Sequence, residues 1–149
     1  MRTKETAQTI TATSPAAAST VVHATTFKGD MLRRAEKLVI DAALLGGTGG
    51  TLDVYLQRKL ASNEWVDWVH FPQVTAATAK KYTATITGDG ASLVEVGGGT
   101  DAVPGVALAA NTAVNVIPGD EVRIIFVAGV GTAAGASNKI TITPYSERR

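Results

Sequence analysis

A chain of 149 residues fits one domain with a core of its own, and 45% hydrophobic against 18% charged content excludes disorder driven by charge. The 14 Lys and Arg nearly balance 13 Asp and Glu, for a formal net charge of +1, so the basic excess that draws a protein to a phosphate backbone is missing and nucleic acid is not an expected partner. No cysteine means no disulfide framework and no thiolate metal site. The N-terminus carries no apolar leader, and the uncharged stretch from Ala102 to Gly119 is broken by Pro104, Gly105 and Pro118, so a soluble product of the cytoplasm with no membrane partner is expected.

Thr, Val, Ala and Gly dominate, an all-β composition in which β-branched segments are punctuated by glycine. Residues 1–14 read as an extended polar arm, and 15–149 as a single antiparallel β-sandwich of jelly-roll type. So polar an arm frays unless something ties it down, so it is expected to clasp another chain. In chain order, Ser19 to Phe27 reads as a strand. Asp30 then caps at most a short helical turn over Met31 to Glu36. The alternation of Leu38, Ile40, Ala42 and Leu44 gives a strand from Lys37 to Leu45.

Thr51 to Leu60 and Trp65 to Phe71 form a hairpin around a polar turn, Ala61 to Glu64. Further strands are expected at Lys81 to Thr87, Ser92 to Val96, Thr112 to Ile117, Glu121 to Val127 and Lys139 to Pro144. Pro118-Gly119-Asp120 fits a type II turn with Gly119 at positive φ.

The chemistry-bearing motifs are weak. The loop Gly46-Gly47-Thr48-Gly49-Gly50 lacks the lysine and the following helix that phosphate binding needs, and it leads into a strand. Two histidines, His23 and His70, cannot make a histidine-rich metal cluster, and no nucleophile elbow occurs. No catalytic, cofactor-binding or metal residues are expected, and no cofactor.

The hairpin's aromatics are the remaining candidates. An even loop sets Leu60 opposite Trp65, Arg58 opposite Asp67, Leu56 opposite Val69 and Val54 opposite Phe71. Tyr55, Trp68 and His70 then share an outer face with Gln57, Lys59 and Val66, where they form a candidate partner-contact patch able to anchor a protein or stack on a sugar. An odd loop or a bulge would turn Trp68 inward instead.

The stretch from Gly46 to Phe71 resembles a pattern found in small structural proteins of tailed bacteriophages. In that pattern a Gly-rich loop leads to Leu-Asp-Val-x-Leu/Val-Gln, then a turn, then Trp-x-Asp. Leu52, Asp53, Val54, Leu56, Gln57, Trp65 and Asp67 match it, whereas the turn Ser62-Asn63-Glu64 departs from the usual Asp-Gly. The resemblance implies a virion protein on the outer surface of the capsid, a decoration or cement protein. Its implied partners are the major capsid protein and copies of itself, a trimer being one option. A tail, baseplate or fibre part and a carbohydrate-binding module are the alternatives.

Overall fold

The computed structural model describes residues 2–15, 18–45, 50–75, 79–90, 108–130, 132 and 135–147. Within them the chain is almost entirely β: β1 (Arg2–Lys4), β2 (Gln8–Thr13), β3 (Ser19–Val22), β4 (Phe27–Lys28), a short helix α1 (Asp30–Arg34), β5 (Lys37–Leu44), β6 (Leu52–Lys59), β7 (Trp65–His70), β8 (Lys80–Ile86), β9 (Thr112–Ala113), β10 (Glu121–Ala128) and β11 (Ser137–Glu147). No helix among the described residues is long and apolar enough to cross a membrane.

All strand pairs are antiparallel, and they make two sheets. One runs β8–β5–β11, with β1 and β2 in succession along the far side of β11; the other runs β9–β7–β6–β10, with β3 and β4 in succession along β10. The chain crosses between them so that β2 lies beside β11, β3 and β4 beside β10, β5 beside β8, and β6 beside β7. An antiparallel ribbon rolled up in this way is a jelly roll. Period-two alternation supplies the filling: Leu38, Ile40, Ala42 and Leu44 from β5 meet Leu52, Val54 and Leu56 from β6 in one continuous core.

The N-terminal arm is extended, and it pairs with β11 of its own domain. Ile10 sits opposite Ile140 and Thr9 opposite Thr141, so β2 alternates buried Ile10 and Ala12 with outward threonines. Glu5 N–H donates to the Pro144 carbonyl (2.9 Å), which shows that Pro144 turns its polar side toward the arm. A missing N–H on that side interrupts the ladder, and the arm divides there into β1 and β2.

Other local expectations shift by a few residues. The expected strand Ser19 to Phe27 breaks at residues 23–26 into β3 and β4. Asp30 is not the cap; Gly29 holds that position, and Asp30 pairs with Arg33 at 2.7 Å and with Arg34 at 3.6 Å. Gly119 does not take positive φ, so the turn there is not type II. A Cβ on Gly119 would lie 3.1 Å from the Lys59 carbonyl oxygen, so close approach to the hairpin is what favours glycine. Of the expected strand Thr112 to Ile117 only Thr112–Ala113 pairs, and Ser92 to Val96 lies outside the described residues, as do Gly46 to Gly49.

Candidate functional site: a polar clasp on the hairpin

The site grows from two irregularities in the β6–β7 hairpin. Leu60 N–H donates to the Glu64 carbonyl (2.7 Å), which leaves Ala61, Ser62 and Asn63 as a three-residue loop. Asn63 takes φ 69°, a left-handed conformation that asparagine tolerates and the register of this loop requires. The odd loop pairs Lys59 with Trp65 and Gln57 with Asp67, in place of Leu60 with Trp65 and Arg58 with Asp67. One residue later a bulge at Trp68 shifts the register back, and Leu56 faces Val69 as expected. The expected Val54–Phe71 neighbours also meet, Phe71 N–H donating to the Val54 carbonyl (3.1 Å).

The bulge decides where the candidate side chains go. Trp68 and Val69 both join the core, and Trp68 is 0% exposed. The outer-face position expected for Trp68 is therefore corrected. Tyr55 and His70 do stay together on the outer side, rings stacked 3.8 Å apart at 19°, but they too are largely buried, 9% and 5% exposed. None of the three offers an open aromatic surface.

Around them lies a hydrogen-bonded network. His70 Nε2 lies 3.0 Å from Asp53 Oδ1, and Gln73 Nε2 donates to Asp53 Oδ2 at 2.8 Å. Gln57, fully buried, donates to Asp67 Oδ1 at 2.8 Å, while its own Oε1 accepts from Arg123 Nε and Nη2 at 2.9 and 2.8 Å. The Arg123 guanidinium also lies 4.5 Å from the Trp65 ring centroid, and Lys59 Nζ approaches the same ring at 5.6 Å. Burial lowers the pKa of Arg123 from its usual value, so the carbonyl and aromatic partners hold a charge that is partly withdrawn from water.

What the network grips is main chain. Leu108 N–H donates to Asp67 Oδ2 (3.0 Å), and the Leu108 carbonyl faces His70 Nδ1 (2.8 Å). Two side chains three positions apart thus hold both polar groups of one residue. Trp68 continues the grip from the other face: its carbonyl accepts from Val114 N–H (2.9 Å) and its indole Nε1–H donates to the Val116 carbonyl (3.0 Å). The bulge lets residues 67, 68 and 70 serve both faces of the sheet, clasping the segment that carries β9.

Chemically the arrangement is suited to holding. Both His70 ring nitrogens face protein oxygens, one the Leu108 carbonyl and one the Asp53 carboxylate, so the ring bridges main chain and side chain within the clasp. Among the described residues no group of three or more His, Asp or Glu is placed to hold a metal. A cleft beside the clasp, lined by Phe71, Tyr82, Asn111 and Thr112, measures about 150 Å³, below the ~300–1,000 Å³ of small-molecule sites.

Sequence reasoning selected Tyr55 and His70 but missed Asp53, Gln57, Asp67 and Arg123 as one cluster. The signal was partly present. Asp53, Gln57 and Asp67 are the polar positions of the hairpin pattern, and all of them meet here, while Leu52, Val54 and Leu56 of the same pattern fill the core. Arg123 arrives from β10 across the sheet, opposite Gln57, and no local motif announces it. The sequence matches no family model, and neither curated proteins nor solved structures give a match.

The network makes a pH prediction. Burial first, and then repulsion by Asp53 and Asp67, raise the Tyr55 pKa above its usual 10.0. A raised pKa means that the folded state favours the neutral phenol, so this stabilisation is complete below pH 10.0 and is lost as pH rises through the raised value. Thermal melts from pH 8 to about 11.5 should therefore fall more steeply for the wild type than for Tyr55→Phe. Parallel curves would show that the phenol is not held in this field.

Proposed function

We propose that this chain is a non-enzymatic structural protein of a tailed-phage particle, a decoration or cement protein that binds the outside of the head lattice, contacting the major capsid protein and copies of itself. The observation that carries the reading is where the hairpin pattern goes. Its apolar residues build the core of a jelly roll, and its polar residues lock a connecting segment in place. A pattern devoted to rigidity suits a protein whose task is to present a fixed surface. Jelly rolls are a recurrent architecture of viral capsid proteins, a likeness of fold and not of site. A cement protein binds the assembled lattice and not its separated parts, so it stabilises assembly by mass action.

The carbohydrate-binding alternative loses support, because Trp68 and Tyr55 offer no open platform for a sugar ring. The tail, baseplate or fibre alternative is separated by stoichiometry. Particles produced by a host carrying the gene are purified on a density gradient, and the chain is quantified by mass spectrometry against the major capsid protein. Copy numbers comparable to the capsid protein are expected. A few copies per particle would favour a tail part, and absence from particles would overturn the virion reading.

A further inference from the structure

The sheet edges of this molecule are unequally protected. β8 begins with Lys80 and Lys81, β1 carries Arg2 and Lys4, and β9 is only two residues long, all devices that discourage a foreign strand. β3 has none of them. Its sequence is Ser19-Thr20-Val21-Val22, among the described strands it pairs with β10 alone, and it lies within a run from Thr6 to Phe27 without a single Asp, Glu, Lys or Arg. Val21 and Val22 are 41% and 44% exposed and, with Val130, are the exposed large hydrophobics among the described residues. The neighbouring stretch of the same edge is closed: the Gln8 side-chain amide reaches from β2 to both polar groups of Lys28 in β4, accepting from its N–H at 3.0 Å and donating to its carbonyl.

We propose that the open edge of β3 pairs with β3 of a second copy, antiparallel about a two-fold axis through Val21, so that two sheets become one. The backbone phase sets the register. His23 N–H donates to the Ile124 carbonyl (2.9 Å), and Val21, two residues earlier, shares that orientation toward β10. Thr20 and Val22 therefore direct their N–H and C=O groups to the open side. About the two-fold, Thr20 of each copy faces Val22 of the other and exchanges both backbone bonds with it. Val21 meets Val21 of the second copy at a non-hydrogen-bonded position, where opposed side chains come closest.

A second copy is the occupant because the segment is complementary to itself. An isologous contact sets identical residues against one another, which a charged edge such as Lys80-Lys81 resists and an uncharged one accepts. The first sheet's edge beside it, β2 (Gln8–Thr13), is equally uncharged. Three residues per copy, Thr20 to Val22, make a small interface, and the association is weak and concentration-dependent. The inference stands on the strand edge alone and does not depend on the virion reading.

Single cysteines in this cysteine-free chain give the test. Val21→Cys should form a reducible dimer under mild oxidation much faster than Ala61→Cys, an exposed position on the hairpin loop, and faster than Thr20→Cys, which faces Val22 and not its own counterpart. Sedimentation velocity over a concentration series should show wild-type dimer that Val21→Lys abolishes, its circular dichroism and melt remaining near wild type. Equal cross-linking of Val21→Cys and Ala61→Cys, or a wild type monomeric at every concentration, would overturn the proposal. So would Thr20→Cys linking as fast as Val21→Cys, or a folded Val21→Lys that keeps the dimer. Dimers that form only when another particle protein is added would assign the edge to that protein instead.

Discussion

Trp68→Ala should lower the unfolding free energy by about 3–5 kcal/mol, the range for truncating a buried tryptophan. The side chain is fully buried among residues of both sheets, so its loss leaves a cavity that the surrounding strands can close only in part. The Val116 carbonyl also loses the indole N–H that reaches it at 3.0 Å. Trp65→Ala is the matched control. Trp65 lies on the outer face between Arg123 and Lys59, and losing those cation–π contacts should cost about 1 kcal/mol. Chemical denaturation of both variants, followed by circular dichroism, gives the comparison. If Trp65→Ala proved the more damaging, the bulge at Trp68 and the register on either side of it would be wrong. Hydrogen exchange adds a second readout, since Trp68→Ala should also speed exchange at Val114, whose N–H bonds to the Trp68 carbonyl.

Removing residues 1–14 should have an effect of similar or greater size. The deletion uncovers one side of β11, withdraws buried Ile10 and Ala12, and takes away Ser14, whose main chain bonds to Ala136 and Gly135 at 2.8 and 3.0 Å. Burying one isoleucine contributes about 1.5–3 kcal/mol, and the ladder bonds of β1 and β2 with β11 add about 0.5–1.5 kcal/mol each, so together the loss approaches the total stability of a typical domain, about 5–15 kcal/mol. The truncated chain should lack a cooperative melt, and a synthetic peptide of residues 2–14 should restore one by adding itself as a strand. A truncated protein that melts like the full chain would show the arm to be separable from the sheet.

Fold class was legible because large apolar residues recur with period two, most clearly in Leu38 to Leu44 and Leu52 to Leu56, where alternate residues enter the core. The arm was harder. Thr9-Ile10-Thr11-Ala12-Thr13 has the same period, but with a single large apolar residue it looks polar until β11 is placed beside it. The hairpin's register misled for a local reason. Asn63 at positive φ makes the loop odd and the bulge at Trp68 compensates, so residues beyond the bulge pair as expected while those between loop and bulge do not. Parity reasoning over uninterrupted strands had no means of locating either event. The clasp followed from that register, since Asp67 and His70 reach Leu108 together only because Trp68 is turned away between them.

The position of β11 sets the order in which the molecule can be completed during synthesis. β11 lies between β5 and the paired arm, with Ile140 beside both Ala42 and Ile10, yet it is the last of these strands to leave the ribosome. Until it emerges, β2 has no ladder partner and β5 has one open side, so the nascent first sheet must wait with unpaired backbone. Contacts this distant along the chain make closure slow, in the millisecond-to-second range typical of β-sandwiches, and leave a window for wrong partners. The polar, threonine-rich character of Gln8 to Thr13 fits that delay: a strand that waits longest for its partner is safest when it has little apolar surface to offer in the meantime.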